Sequence, residues 1–311
     1  MPVFERFREW FVYCEREGID LAESMVRYEM ELKGRSREEI YARLDRALGV
    51  MEEAVQKGLE QQMRSRSGLL GDWGKRVARS RVSILGPQVT AVIARALAAK
   101  EVNACMGRIV AAPTAGSSGI LPAMLTVLMQ EHNIPRRRIL DGLLVAAGIA
   151  LIIERRAGIA GAVAGCQAET GSAAAMGAGA VVYLLGGSTE QIGNAVAIAL
   201  QCLLGLICDP VAGLVEVPCV VRNASGALVG FAAAEMALAG VPSVIPVDEV
   251  VDVLAELGQA MDARYKETAL GGLATTPTGR AIAQQVLIQD VPILGSDPSE
   301  GDPSPDTQSA P

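Results

Sequence analysis

The sequence predicts an all-α protein, a single large helical domain whose Gly/Pro-rich loops carry the candidate site. Three observations lead there. Apolar residues recur at helical spacing along most of the chain, and no run of alternating residues competes with that reading. Ser, Asp, Gly and Pro stand where helices would start and stop. Half of the 311 residues are hydrophobic, but only 4% are aromatic and 33 are glycine, so the core must be built from Ala, Val, Leu, Ile and Met at close spacing. A chain of this length can bury a sizeable core.

The elements follow in order. Phe4, Phe7, Trp10 and Phe11 share one helical face, with Arg6, Arg8 and Glu9 on the other, which reads as a docking helix. Asp20 can cap a second helix carrying Leu21, Met25, Tyr28 and Leu32, which Gly34 ends. Ser36 and Glu39 have capping-box spacing for a third, bearing Ile40, Leu44, Leu48, Met51 and Val55. These three form an expected N-terminal helical layer, residues 1–60. The expected site-bearing domain, 61–294, opens on RSRSGLLGDWGKRVARSR, with Arg64, Arg66, Lys75, Arg76, Arg79 and Arg81 among three glycines. Two readings stay open for that stretch, a solvated loop and a mobile flap offering cations to an anionic substrate or partner. Pro87 then starts a helix toward Met106.

Ala111–Leu125, AAPTAGSSGILPAML, places Thr114, Ser117 and Ser118 among glycines before a helix opened by Pro122. Backbone N–H groups at such a start favour an anion, so a substrate carboxylate suits this loop, although Ser and Gly also dominate ordinary turns and N-caps. His132, the sole histidine, lies in a polar connector and leaves no Ser/His/Asp or Cys/His arrangement to assign. A long helix is expected from Arg136 to Arg156, then a Cys166 loop with Gly165 and Gly171 breaking the pattern, a small-residue helix through Leu185, and another from Thr189 to about Ile207. Cys208–Ala227, with Pro210 and Pro218 beside its two cysteines, is expected to be an ordered non-helical loop. Val241–Val253 begins extended at Pro242 and Pro246 before resuming helix, and the last ordered stretch contains Gly271, Gly272 and Pro277.

Charge and targeting signals narrow the function classes. The formal charge of −7 argues against nucleic acid or an anionic membrane as partner. Four of the acids, Asp297, Glu300, Asp302 and Asp306, lie in the Pro-rich segment 295–311, expected to be a disordered tail, and without them the body carries about −3. The N-terminus interleaves charges with apolar residues and carries no secretory pattern. The apolar run Gly142–Ile153 is too short to span a bilayer, and later apolar stretches are cut by Glu169, Glu190 and Asp209. The expectation is a cytoplasmic protein whose six cysteines are reduced or metal-bound.

Cys14, Cys105 and Cys202 fall within helical patterns and read as packing. Cys166, Cys208 and Cys219 sit where the backbone breaks and can aim a sulfur, but their spacing matches neither paired CxxC zinc motifs nor ferredoxin runs. Inert thiols and a shared metal site both remain open. If a metal is shared, three thiolates without histidine favour an iron–sulfur cluster over zinc, and three ligands on four irons leave one iron open as a Lewis acid.

CDPVAGLVEVPC, AGCQAETGSA, EVNACMGRIVAAPTAGSSGILPAML and KETALGGLATTPTGR together resemble the iron–sulfur-dependent L-serine dehydratases, specifically the separate alpha chain of the two-chain type, over residues 23–280. The resemblance implies a helical catalytic subunit holding a [4Fe-4S] cluster through Cys166, Cys208 and Cys219, and deaminating L-serine to pyruvate and ammonia without pyridoxal phosphate. It makes Thr114, Ser117 and Ser118 candidates for the substrate carboxylate and Arg222, Asn223 and Ser225 candidates for polarising the substrate. Lys266, in a matching motif beside Glu267, is a candidate catalytic group, and the base itself stays open.

Two departures matter. Single-chain members carry a further domain with an SSSHT-type motif that is absent here, which implies a separate beta chain and an alpha–beta hetero-oligomer. Some relatives end in a cysteine, whereas this chain ends in Ser309, Ala310 and Pro311. Competing readings are a cysteine desulfidase-type lyase, separable by comparing L-serine with L-cysteine, and a non-catalytic helical partner subunit.

Overall fold

The computed structural model describes residues 3–290, so the expected tail and the end of the 61–294 segment lie outside the described residues. Thirteen α-helices form among the described residues: α1 (Phe7–Glu17), α2 (Leu21–Lys33), α3 (Arg37–Glu60), α4 (Trp73–Ala78), α5 (Pro87–Ala104), α6 (Ile120–Glu131), α7 (Arg136–Ala157), α8 (Gly161–Ala164), α9 (Cys166–Leu184), α10 (Thr189–Gln201), α11 (Cys219–Leu238), α12 (Val247–Ala260) and α13 (Pro277–Asp290). There is no sheet among the described residues, where extended pairing is limited to an isolated bridge between Cys208 and Lys266. The all-α expectation holds.

Local chemistry sets the boundaries. Asp20 accepts the Glu23 N–H at 2.7 Å to start α2, Gly34 ends it in a left-handed conformation, and Ser36 and Glu39 form the reciprocal capping box of α3. Trp10 is fully buried, and its indole N–H donates to Ser24 Oγ at 2.7 Å, so α1 docks as its aromatic face predicts.

The architecture is organised around α9, whose nineteen residues are all buried. Helices α7, α10 and α11 lie directly against it and α6 packs alongside, while α5 packs on α11 and carries α3 and α4 on its outer side. Small residues make this possible. A Cβ on Gly230 of α11 would lie 2.9 Å from the Ala174 carbonyl oxygen of α9, closer than side-chain carbons approach. The sparse aromatic content therefore reflects backbones packed nearly in contact.

Three sequence expectations change. Cys219–Ala227 is helical, because the constraint imposed by proline acts on the residue before it and on its own amide: Pro218 serves as N-cap and α11 runs on from Cys219. Gly171 does not break α9, where tertiary packing outweighs glycine's helix penalty. α10 ends at Gln201 rather than near Ile207, followed by turns and Gly205 at φ 80°, and Cys202 is consequently exposed rather than packed.

Candidate functional site

The N-terminal ends of α9 and α11 meet the Cys208 segment at one end of the core. Cys166 is the first residue of α9, after Gly165 at φ 77°. Cys219 is the first residue of α11. Cys208 lies in extended backbone, its N–H donating to the Tyr265 carbonyl at 2.7 Å and its carbonyl accepting from Glu267 N–H at 2.9 Å. All three thiols are buried and free.

Cys166, Glu169 and Cys208 each offer a ligand atom within 4.8 Å of the others, a grouping that can hold a metal ion. Cys219 lies outside that tight group. Its thiol is pushed up to about 12, first by burial and then by the charge of Cys166. Cys166 is pulled below its ordinary value, first by the hydrogen bond from Cys208, against burial, and with help from the Arg222 cation. Cys208 is pushed up by that same bond and by burial. Of the pair, Cys166 is thus the thiol favoured to lose its proton and Cys208 the one favoured to keep it.

Arg222 secures this arrangement. Its Nη1 donates to the Ile207 carbonyl at 2.9 Å and to Cys166 Sγ at 3.6 Å. Its Nη2 lies 2.9 Å from Asp209 Oδ1, while Asp209 Oδ2 accepts the Leu273 N–H at 2.8 Å. The donor types fit an iron–sulfur group: the two converging thiols and the buried Cys219 are soft ligands, and the Arg222 cation beside Cys166 offsets negative charge. Gly161 closes the site beside Cys208, since a Cβ there would lie 2.9 Å from the sulfur.

The loop carrying Thr114, Ser117 and Ser118 is fixed from three helices. From α9, Glu169 accepts from the Thr114 hydroxyl. A Cβ on Gly116 would collide with that carboxylate, so a larger residue there would displace it from Thr114. From α11, Asn223 accepts the Gly119 N–H at 2.8 Å and donates to the carbonyls of Gly116 and Cys219 at 2.7 and 2.8 Å. From α5, the fully buried Lys100 donates to the Ala115 carbonyl at 3.1 Å and to Asn103 Oδ1. Burial pulls Lys100 down, opposed by the negative charge of Cys219, Glu169, Glu216 and Cys166. Burial likewise pushes Glu169 up, against the hydrogen bond from Thr114.

A cleft of about 530 Å³ opens beside this group. Thr114, Gly116, Gly161, Glu169, Glu216 and Glu267 border it, and Arg66 comes in from the basic loop. Glu267 adopts a left-handed backbone at φ 63°, the kind of strain that rigid sites retain.

The sequence-derived residues therefore occupy different positions. Thr114 borders the cleft. Ser117 sits behind it, its Oγ 3.1 Å from Thr114 Oγ1, and the buried Ser118 Oγ has no partner among the described residues. Asn223 and Arg222 hold the loop and Cys166. Ser225 is exposed and bonds back to the Val221 and Arg222 carbonyls of its own helix. Lys266 is half-buried and pairs with Cys208 through its backbone, while its neighbour Glu267 reaches the cleft.

Lys100 and Glu169 were not among the sequence-derived site residues. Their signals were present: Lys100 interrupts ARALAAKEV, and Glu169 is the only charge between Arg156 and Glu190. A charge in such surroundings is either paired or functional.

Buried thiols and a carboxylate gathered beside an open cleft define a helical protein with a group of side chains able to hold a metal ion. The family model described as "Serine dehydratase alpha chain" matches residues 16–274. The chain belongs to that family. It is 44% identical to the probable L-serine dehydratase alpha chain of Bacillus subtilis over 288 residues, covering 92% of this chain and 96% of the relative. It is likewise 44% identical to the L-serine dehydratase alpha chain of Peptoniphilus asaccharolyticus over 283 residues, covering 90% and 97%. With the L-serine dehydratase of Streptomyces coelicolor it shares 39% identity over 265 residues, covering 82% of this chain and 57% of that protein. Among the described residues no helix is long and apolar enough to cross a membrane.

Proposed function

We propose that this chain is the alpha subunit of an L-serine dehydratase, an ammonia-lyase forming pyruvate and ammonia, in which Cys166, Cys208 and Cys219 hold a [4Fe-4S] cluster. The observation that carries the reading is the convergence of buried Cys166, Glu169 and Cys208 within 4.8 Å, beside a cleft of amino-acid size. When bound, the cluster supplies a Lewis-acidic iron that makes the β-hydroxyl a better leaving group.

The chain's own groups prepare the rest. Arg222 keeps a positive charge beside Cys166 and ties it to Asp209. Asn223, Lys100 and Glu169 hold the Thr114–Gly119 backbone rigid. Thr114 faces the substrate, with Ser117 and Ser118 as the polar layer behind it. Ser225 and Lys266 do not border the cleft and are assigned no step. A separate beta chain completes the enzyme, a reading supported by the "alpha chain" names of the Bacillus and Peptoniphilus relatives.

The test is anaerobic purification of the chain with its beta chain, wild type beside Cys166→Ala, with iron and sulfide determination and a pyruvate assay on L-serine. About four irons per wild-type alpha chain, lost in the variant together with pyruvate formation, are expected. Pyruvate formation at full rate by iron-free protein overturns the cluster assignment, and no pyruvate from the iron-loaded complex overturns the substrate.

A further inference from the structure

The Thr114–Gly119 loop is a poor sole receptor for a carboxylate, because the N–H groups of its last three residues are already used. Ser117 N–H goes to Thr114 Oγ1, Ser118 N–H to the Ala115 carbonyl, and Gly119 N–H to Asn223. The charged side chains bordering the cleft are Glu169, Glu216, Glu267 and Arg66. Carboxylates suit a substrate ammonium and repel a substrate carboxylate, which leaves the guanidinium.

Arg66 is exposed, but the loop that carries it is anchored to the body of the protein. Ser65 N–H donates to the Leu70 carbonyl and Leu70 N–H to Ser65 Oγ, both at 3.1 Å, and Ser65 and Leu70 are buried. Ser67 accepts the Leu69 N–H at 3.1 Å and donates to the buried Glu216, which belongs to the segment between Cys208 and Cys219. Met63 N–H donates to Asp72 at 2.7 Å, and buried Glu101 accepts the first N–H groups of α4 from Trp73 and Gly74. Arg66 is therefore flanked on both sides by anchored serines, one of them tied to the cysteine-bearing segment.

We propose that Arg66, presented to the cleft by this anchored loop, binds the α-carboxylate of the substrate and makes the site selective for α-amino acids over derivatives whose carboxyl group is neutral. The guanidinium fork matches a carboxylate in a bidentate pair, which a lysine cannot reproduce. The assignment rests on the L-serine reading above and adds the residue that recognises one of the substrate's two charges.

The test uses the anaerobic alpha–beta complex with wild type, Arg66→Lys and Arg66→Gln. Iron content and beta-chain association serve as folding readouts, and L-serine and L-serinamide as ligands. Arg66→Gln is expected to raise KM for L-serine about 10- to 100-fold with a smaller effect on kcat, and Arg66→Lys to recover part of it. Wild type is expected to bind L-serinamide, measured as a competitive inhibitor, at least about tenfold more weakly than L-serine, and Arg66→Gln to lose that preference. Unchanged KM in Arg66→Gln overturns the proposal. So does equal wild-type affinity for the two ligands, a measurement that needs no variant. Absence of any wild-type turnover of L-serine is instead a failure of the function reading.

Discussion

Arg222 Nη1 lies 3.6 Å from Cys166 Sγ, so a guanidinium on one helix donates to the thiol that opens another. The same side chain pairs with the carboxylate of Asp209, which is 2% exposed. One residue therefore both biases Cys166 toward thiolate and neutralises a buried acid on the Cys208 segment.

Replacing it separates these roles. Arg222→Met leaves Asp209 buried and unpaired and should destabilise the metal-free chain by about 3 kcal/mol, measured by urea unfolding. Iron retained after anaerobic reconstitution should fall below half of wild type. Arg222→Lys should keep more iron than Arg222→Met, because a charge remains.

Asn223→Ala removes three hydrogen bonds to backbone groups of Gly116, Gly119 and Cys219 in the interior. Leaving those groups unpaired is expected to cost about 2–4 kcal/mol in the same assay. Asn223→Asp should fare little better, since a carboxylate cannot donate to the two carbonyls.

Lys100→Met tests the opposite balance. The new side chain matches the buried volume and removes a charge that burial disfavours, while the loop loses its bond to the Ala115 carbonyl. Stability should change by less than about 1.5 kcal/mol. kcat/KM for L-serine in the alpha–beta complex should fall at least about tenfold.

The thiols predict a pH effect on the metal-free chain. Cys219 is raised from 9.0 to about 12, chiefly by burial, so the folded state holds its proton more tightly than the unfolded state does. That stabilisation is complete below pH 9 and is lost as pH rises toward 12. Tm should therefore fall across the alkaline range from about pH 9 upward, and the fall should be shallower in Cys219→Ala.

The helical class was legible because its signals are local. Asp20, Gly34, Ser36 and Gly165 act within one turn of where they stand, and the boundaries of α2 and α3 follow from them. The start of α11 was misplaced because Pro218 reads as a helix breaker until its place as N-cap is known. The three cysteines stood out by their irregular flanks. Lys100 and Glu169 did not, because what makes them distinctive is enclosure by α5, α9 and α11 together, which no window of sequence contains. Arg66 was visible only as one of six cations in a basic stretch, and the Ser67–Glu216 contact that sets it apart joins residues 149 positions apart.

The enclosure of α9 has a consequence for how the protein tolerates change. A helix walled on every side has no free face, so a substitution that swells its middle is transmitted along its axis to Cys166 and Glu169 at its start. Scaffold and reaction centre here are one mechanical piece. Variants isolated for lost activity and variants isolated for poor folding should accordingly fall on the same nineteen residues.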